Sequence, residues 1–339
     1  MKVGGIPISL SIMLAAVSAI AQVETPPSFF AGKQVSINVG TPPGSPASLY
    51  AQLVARHMSV HMPGHPAFIV KHLPGAGGLV AANTAWSKMA ADGTALVSTN
   101  SLIFIEPLLG VGGGQFEARK FTWIGGTHVE RMVCVTWHTS AIKTFKDAIE
   151  KPSIIGSYGA EGPSAVFART ANMFAGAKFQ IIAGYSGGSE ALIAMQRGEV
   201  DGNCAMGWHE LTLRNEAWLR EKQVNLLFQM GLEKEPEMAQ VPALIDYART
   251  PLDRRALELL LTPLEIGRPI YAPPGVPADR AMALREALER TLRDPTVLDE
   301  AKKAGLPLQH VPAAKIEKLL EDVYSAPREV LMRARTAQE

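Results

Sequence analysis

Short β-branched runs alternate along the chain with longer segments in which apolar residues recur at helical spacing. The strand-like segment QVSINV (34–39) is followed by a small-residue turn and by a segment at 49–58 whose apolar residues share one helical face. The same order of strand, turn and helix recurs at 67–90, 152–176 and 179–198. This alternation predicts an α/β protein with largely parallel sheets, whose two faces are covered by helices.

The N-terminal segment 1–21, MKVGGIPISLSIMLAAVSAIA, has the pattern of a secretory signal peptide. A positive charge at Lys2 precedes an apolar run, and the segment ends in Ala19-Ile20-Ala21, which fits a cleavage site. The apolar run is too short for a comfortable membrane span. We therefore expect an exported protein, with a buried N-terminal helix as the alternative interpretation.

Composition narrows the possible partners and cofactors. Lys and Arg number 33 against 32 Asp and Glu, and a nucleic-acid partner would require a basic excess. A chain of 339 residues with 47% hydrophobic residues predicts a large core and two domains. The two cysteines, Cys134 and Cys204, are expected to be buried free thiols, with a disulfide as the alternative. Two cysteines are too few for a metal site.

Two small-residue turns are the first candidates for a binding site. In parallel sheets, ligands bind beyond the carboxyl ends of the strands, and each of these turns follows a strand and opens a helix. Unpaired N–H groups and the positive end of the helix dipole would hold a carboxylate there. The alternative is that both turns are ordinary helix caps. The candidate residues are Thr41, Ser45 and Ser48 in the turn at 40–48, and Ser157, Tyr158, Gly162 and Ser164 in the turn at 157–164.

The glycines of KHLPGAGGLVAANTAW (71–86) indicate close backbone approach rather than phosphate binding. A dinucleotide fingerprint would place its third glycine where this chain has Val80, and the Gly-Lys-Ser/Thr of a phosphate-binding loop is also absent. We expect Gly75 and Gly77 to lie near the cleft and to be available for ligand contact.

Further residues beside these turns complete the predicted ligand-binding set. Aromatic side chains could form flat cleft walls around an organic ligand, although such a residue is more often plain packing. Polar residues at the end of the strand TALVST could contribute as well. The set consists of Tyr50, Tyr158, Tyr185, Trp208, Ser98 and Asn100.

The segment GYSGG (184–188) matches the G-x-S-x-G nucleophile elbow of α/β-hydrolases. Asp246 and His310 follow Ser186 in the order that a Ser-Asp-His triad requires. The pattern is short, and the chain lacks an HGGG-type oxyanion segment upstream. A serine esterase is therefore the alternative function from a different class.

Three histidines spaced by four, His57, His61 and His65, could suggest a metal site. Pro63-Gly64 ends the helix before the third, and no acid completes an H-E-x-x-H motif. No metal or other cofactor is expected.

Several segments, taken in order, match one known arrangement. They are PPGSPASLYAQLVARHM (42–58), PGHPAFIVKHLPGAGGLVAANTAW (63–86), ADGTAL (91–96), GSYGAEGPSAVFA (156–168), YSGGSEALIAMQRGEVDG (185–202) and RPIYAPPGVPADRAMALREALERTLRDP (268–295). Their order and spacing resemble the solute-binding receptors of the tripartite tricarboxylate transporter family, also called Bug-type proteins. In that light GYSGG belongs to the family's Y-x-G-G-x-E-A-L turn, which weakens the hydrolase interpretation.

The resemblance implies a two-lobed, periplasmic-binding-protein-like (type II) α/β fold, in which two mixed sheets flanked by helices enclose a ligand cleft. Lobe 1 would comprise 32–130 plus 269–339, and lobe 2 would comprise 131–268. Such a receptor captures a small organic acid in the periplasm, as a monomer, and delivers it to membrane permease subunits. A receptor that senses the ligand without transporting it is a further alternative.

The resemblance also implies which turns hold the ligand. Family members grip a carboxylate with the turn after the first strand, here Thr41–Ser48, and another polar group with the matching turn of the second lobe, here Ser157–Ser164. This chain departs from the family at Ser48, where an Asp is frequent, and at Gln52, where an Arg is frequent. The missing acid favours a plain carboxylate or an aromatic acid over an amine-bearing ligand.

Overall fold

The computed structural model describes residue 1, residues 25–129 and residues 131–339. The predicted signal peptide, apart from Met1, lies outside the described residues. Within the described ranges, no helix combines the length and the apolar character needed to cross a membrane.

Strands and helices alternate as the sequence pattern predicts. The strands are β1 (Gln34–Val39), β2 (Ala67–His72), β3 (Ala95–Ser98), β4 (Thr122–Gly126), β5 (Met132–Trp137), β6 (Ser153–Ser157), β7 (Phe179–Ala183), β8 (Gly202–Gly207), β9 (Val224–Met230), β10 (Pro269–Ala272) and β11 (Val311–Pro312). The helices are α1 (Pro26–Phe30), α2 (Pro46–His61), α3 (Leu79–Ser87), α4 (Glu106–Leu109), α5 (Phe145–Glu150), α6 (Pro163–Ala175), α7 (Gly188–Gln196), α8 (Glu216–Arg220), α9 (Pro251–Leu261), α10 (Pro263–Ile266), α11 (Ala278–Arg293), α12 (Pro295–Lys303), α13 (Ala313–Tyr324) and α14 (Arg328–Thr336).

The strands form two sheets, one for each lobe. The sheet of lobe 1 has the order β11-β4-β10-β3-β1-β2, and the sheet of lobe 2 has the order β7-β6-β8-β5-β9. β1 runs parallel to β2 and β3, and β6 runs parallel to β7 and β8, whereas β10 and β5 are antiparallel to their neighbours. The predicted pair of mixed sheets is confirmed. The expectation of largely parallel sheets is wrong where β5 and β10 enter their sheets, because neither arrives through a helix that crosses its own sheet.

Each sheet carries an apolar core on both faces. In lobe 1, Ile37 and Leu284 belong to the core on one face and Trp123 to the core on the other. In lobe 2, Phe228 and Met206 belong to two such cores. Burying a side chain of this size contributes about 1.5–3 kcal/mol, so these cores fix the strands whose ends carry the candidate turns.

Local sequence explains where the two helices next to the candidate turns begin. Ser45 caps α2 by accepting a hydrogen bond from the Ser48 amide (3.3 Å), and a proline occupies the first turn. Helix α6 starts after Gly162 with Pro163 and ends at Gly176, whose φ of 75° is left-handed. Gly176 is therefore the helix C-cap that its position in the sequence predicts.

Two segments cross between the lobes side by side. The chain leaves lobe 1 after β4 and returns between α10 and β10. The Thr127 amide donates to the Arg268 carbonyl (3.0 Å), and the Arg268 amide donates to the His128 carbonyl (2.9 Å). Glu265 joins the crossing to neighbouring elements by pairing with Arg131 (2.7 Å) and Lys315 (3.5 Å). The two crossing segments are thus hydrogen-bonded to each other.

The C-terminal helix makes a further connection between the lobes. α13 packs on β4 of lobe 1, whereas α14 packs on α9 of lobe 2. Arg333 Nε donates to Asp253 Oδ1 (2.6 Å), and Gln338 Nε2 donates to Thr170 Oγ1 (3.0 Å). The predicted lobe limits, 32–130 plus 269–339 and 131–268, stay a prediction.

Cys134 of β5 and Cys204 of β8 form a disulfide, so the expectation of free thiols is wrong. β5 and β8 are antiparallel neighbours, which brings together two fully buried side chains separated by 70 residues in the sequence. The sequence places each cysteine in a strand but gives no information on which strands pair.

Replacing both cysteines, Cys134→Ala with Cys204→Ala, is expected to lower the free energy of unfolding by about 2–4 kcal/mol, because the bond constrains the unfolded chain. Urea unfolding of wild type, of the variant and of wild type with a reductant measures the effect. Identical urea midpoints for all three would contradict the bond.

Candidate functional site

The turn of lobe 1 is organised around hydroxyl groups at the carboxyl end of β1. Thr41 Oγ1 and Ser45 Oγ lie 2.6 Å apart, and Ser45 also caps α2. Ser48 is fully buried, and its hydroxyl accepts a hydrogen bond from Gln52 Nε2 (3.2 Å). Ser45 therefore matches the capping alternative, while contact of these residues with a ligand stays a prediction.

His72 at the end of β2 supports the same turn. Because a carbonyl oxygen only accepts, His72 Nδ1 donates to the Thr41 carbonyl (3.0 Å). Its other ring nitrogen, Nε2, lies 3.5 Å from Ser48 Oγ. His72 is absent from the predicted binding residues, although its place just before the glycine loop (74–78) could have drawn attention to it.

The glycine loop allows three loops of lobe 1 to meet at one edge of the sheet. A Cβ on Gly40 would lie 3.0 Å from Gly78 Cα, and a Cβ on Gly78 would lie 3.2 Å from Thr99 Cβ. The Asn100 side-chain amide donates to the Gly77 carbonyl and so holds the loop against the end of β3. The expected close backbone approach is confirmed.

The turn of lobe 2 leaves the start of α6 without a side-chain cap. Ser157 Oγ donates to the Gly159 carbonyl (2.9 Å), and Ser164 Oγ accepts from the Cys204 amide (2.9 Å). The N-cap residue is Gly162, which has no side chain to offer to the first-turn amides of α6. This helix terminus thus retains N–H donors and a positive dipole end.

The two lobes touch at these turns. A Cβ on Gly77 of lobe 1 would lie 3.3 Å from the carbonyl oxygen of Glu161 in lobe 2. The glycine loop and the turn that opens α6 therefore face each other across a closed cleft.

A buried carboxyl group and two half-buried charges lie beside this contact. Glu106, the first residue of α4, is 5% exposed, and in the described part of the chain neither carboxylate oxygen has a hydrogen-bond partner. Burial and the negative charge of Glu161 raise the pKa of Glu106 to about 8, against a lowering by Arg169. Arg169 Nη2 lies 3.5 Å from Glu161 Oε2.

The predicted residues Tyr158 and Tyr50 lie near Arg268 and His128 of the crossing segments. Burial raises the pKa of the Tyr158 hydroxyl, Arg268 lowers it and Glu106 raises it further. The Arg268 guanidinium lies 5.3 Å from the centre of the Tyr50 ring, which stacks on His128 at 5.9 Å. Tyr50 Oη donates to the Pro307 carbonyl (2.9 Å), so this hydroxyl supports the fold.

Other predicted residues make contacts that match the packing alternative. The Trp208 indole donates to Glu237 Oε2 (2.8 Å) and is 6% exposed. The Tyr185 ring lies against Gly156. The Ser98 carbonyl accepts from the Gly40 amide (2.9 Å). A ligand role for these residues stays a prediction.

The residues of the alternative Ser-Asp-His triad are engaged separately. Ser186 Oγ donates to Glu190 Oε2 (2.7 Å), and Asp246 pairs with Lys234 (2.7 Å). His310 lies beside Gly125 in lobe 1. The structure does not bring the three together.

The three spaced histidines also have separate partners, namely Glu300 for His57 (2.6 Å), Asp294 for His61 (3.0 Å) and the Ser59 carbonyl for His65 (2.9 Å). Over residues 25–129 and 131–339, no group of three potential metal ligands occurs.

Glu106 and Arg169 are the charged residues that the sequence analysis misses. Glu106 is the only charge in the apolar stretch LIFIEPLL (102–109), and Arg169 stands in the middle of the predicted apolar helix AVFARTANMFAG (165–176). An isolated charge within an apolar segment is the signal that could have identified both.

No protein-family model matches the chain, and a search of curated proteins finds no match. Solved structures of similar fold are found. A TctC solute binding protein from Polaromonas has a TM-score of 0.60 at 15% identity, over 86% of this chain and 96% of that one. The periplasmic binding protein BugD has a TM-score of 0.64 at 17% identity, over 86% and 94%. MatC from Rhodopseudomonas palustris with bound malate has a TM-score of 0.66 at 19% identity, over 88% and 99%.

At these identities the likeness establishes the fold. The two-lobed fold predicted from the sequence is confirmed, and its similar structures include TctC and BugD, the kind of protein that the sequence resembles.

Glu106→Gln is expected to change how stability depends on pH. The raised pKa means that folded Glu106 keeps its proton up to about pH 8, whereas the unfolded chain loses it near 4.5. The resulting contribution of Glu106 to the free energy of unfolding is present in full below pH 4.5. It is lost at about 1.4 kcal/mol per pH unit as the pH rises to about 8.

Urea unfolding between pH 5 and pH 9 measures the free energy of unfolding of both proteins. The free energy of the variant should exceed that of wild type by an amount that grows with pH. The exposed Glu329→Gln is the matched control. Parallel pH profiles for wild type and Glu106→Gln would contradict the burial of an uncompensated carboxyl.

Proposed function

We propose that the protein is an extracytoplasmic solute-binding receptor that captures a small organic acid between its lobes and delivers it to a tripartite tricarboxylate-type membrane permease. One observation carries the proposal: the turn opening α6 lies against the glycine loop of the other lobe, with Gly77 facing the Glu161 carbonyl. The likeness of the fold to TctC, BugD and malate-bound MatC supports it.

The first-turn amides of α6 are the best carboxylate donors in the cleft. Helix α6 has 13 residues and no side-chain cap, so its N–H groups and dipole can act on a ligand anion. Glu161 adds a negative charge to the same turn, and its pairing with Arg169 reduces the repulsion that this charge would exert. The hydroxyl groups of Thr41, Ser45 and Ser48 would offer neutral hydrogen bonds from the opposite lobe.

Closure would follow from the ligand's preference for the closed state. A ligand that contacts both lobes shifts the population toward the form in which they meet, and the paired crossing segments supply the hinge. No covalent chemistry is needed, so we infer a receptor rather than an enzyme. We place it in the periplasm as a monomer, with the predicted signal peptide as its route of export.

A thermal-shift screen of the exported protein with mono-, di- and tricarboxylates tests the function. A bound acid present at a hundred times its dissociation constant adds about 2.7 kcal/mol to the free energy of unfolding. Each kcal/mol raises Tm by roughly 2–4 °C. A shift with one class of acid supports the proposal. The absence of any shift, before and after unfolding and refolding to remove carried ligand, would refute it.

Gly77→Ala is expected to weaken binding of the acid identified in that screen by about tenfold. The added Cβ would press on the Glu161 carbonyl and disfavour closure, on which affinity depends. Isothermal titration calorimetry measures the change.

Gly198→Ala is the matched control, because its φ of 74° is close to the 66° of Gly77 while nothing lies within 4 Å of the added Cβ. Both variants carry similar backbone strain, and only the first obstructs the cleft. Equal affinities for the two variants would mean that closure at Gly77 is not linked to binding.

A further inference from the structure

Strand β7 forms one edge of the sheet of lobe 2, and half of its backbone groups point away from that sheet. The Lys178 carbonyl accepts from the Ser153 amide (3.2 Å), and the Gly184 amide donates to the Ser157 carbonyl (3.2 Å). Backbone groups point alternately to the two sides of a strand, so the even-numbered residues bond to β6. The residues whose N–H and C=O groups point outward are Phe179, Ile181 and Ala183.

The outward groups are capped at the start of β7 and open toward its end. Asn172 Oδ1 accepts from the Phe179 amide (2.9 Å), and Asn172 Nδ2 donates to the Phe179 carbonyl (2.9 Å). For Ile181 and Ala183, no such cap occurs among the residues that the structure describes. Open N–H and C=O groups on an edge strand are a template for pairing with another strand.

Other sheet edges carry features that discourage such pairing. An exposed lysine, Lys71, stands in β2, and β11 contains Pro312. The Gln229 amide of β9 donates to the Pro242 carbonyl (2.8 Å), which covers part of that edge. Strand β7, FQIIA, contains neither a charge nor a proline. The β7 edge is therefore available to a second strand.

The open groups of β7 are complementary to a second copy of themselves. Antiparallel pairing about a two-fold axis at Ile182 sets Ile181 of each copy opposite Ala183 of the other. Residues that face each other in this way exchange both N–H···O=C bonds, so every open group finds a partner. An axis at Ile181 would instead set Ala183 opposite Phe179, whose groups Asn172 already occupies.

The side chains agree with the same register. Ile182 is 46% exposed, and at the axis the two copies of Ile182 would cover each other. Exposed Lys178 would lie opposite Ser186 of the second copy, whose hydroxyl donates to Glu190 Oε2 (2.7 Å). Antiparallel pairing thus brings opposite charges together at both ends, whereas parallel pairing would bring like charges together.

We propose that the β7 edge is a homodimer interface, through which two copies pair antiparallel about a two-fold axis at Ile182. The two five-stranded sheets would become one continuous sheet. Each copy keeps its own cleft, so the monomer placed in the periplasm above stays the unit that binds a ligand. One strand pair buries little area, so we expect a weak dimer with a dissociation constant of about 100 µM.

Sedimentation velocity of the exported protein, without added ligand, tests the pairing. The concentrations should extend from about a hundredth of the expected dissociation constant to about ten times that constant. The weight-average sedimentation coefficient of wild type should rise over this range. Ile182→Lys should lower the association constant by at least about tenfold, because two ammonium groups would meet at the axis.

Ile193→Lys is the matched control. Ile193 is 45% exposed, but it lies on α7, which packs on β6, β8 and β5. This variant should associate as wild type does. Ala183→Pro provides a second, uncharged disruption, because it removes an outward donor and leaves the bonds to β6 in place. Circular dichroism checks that each variant is folded.

A charge exchange tests the register. Lys178→Glu should weaken association by placing two acids opposite each other at both ends of the strand pair. Adding Glu190→Lys to that variant restores opposite charges and should recover at least half of the lost association.

Each result supports or overturns the interface. Wild type that stays monomeric at every concentration, or equal association of Ile182→Lys and Ile193→Lys, would overturn it. So would a charge exchange that recovers nothing, because the antiparallel register would then be wrong. A monomeric wild type that captures a synthetic FQIIA peptide would assign the edge to a foreign strand instead. The ligand screen above uses the cleft, so the receptor function is tested independently of this edge.

Discussion

The approach of Gly77 to the Glu161 carbonyl determines the rest of the site. A Cβ at position 77 would lie 3.3 Å from that carbonyl oxygen, so the facing turn of lobe 2 would have to move back by a few tenths of an ångström. Beside this contact Glu106 is buried, and burial shifts the pKa of Glu106, Arg169 and Tyr158 toward their neutral forms.

The fold could be predicted from the sequence because its signals are local. Periodicity gives the strands and helices, and Gly176 marks a helix end through a backbone angle that its own chemistry permits. Gly75, Gly77 and Gly78 indicate close approach, and all three have positive φ. The turns could be placed at sheet edges because the carboxyl ends of parallel strands lie together.

What could not be predicted depends on which distant segments meet. Pairing of Cys134 with Cys204 requires β5 beside β8, an arrangement that spacing does not encode. Glu106 and Arg169 influence each other's pKa although they are far apart in the sequence, and their spacing does not reveal this. The motif around Ser186 shows the opposite error: its local pattern is present, but its hydroxyl bonds to Glu190. A short motif specifies a turn, whereas chemistry depends on the neighbours that the fold supplies.

The crossing of the C-terminal helix has a consequence for the order of assembly. The sheet of lobe 1 needs β10 and β11, and a core of lobe 2 includes Val330 and Ala334 of α14. Neither lobe can complete its core while the C-terminal residues are still being synthesised. Multidomain proteins whose N-terminal domain folds first during synthesis have no such dependence on the end of the chain. Loss of the last two helices would therefore leave both lobes with incomplete cores.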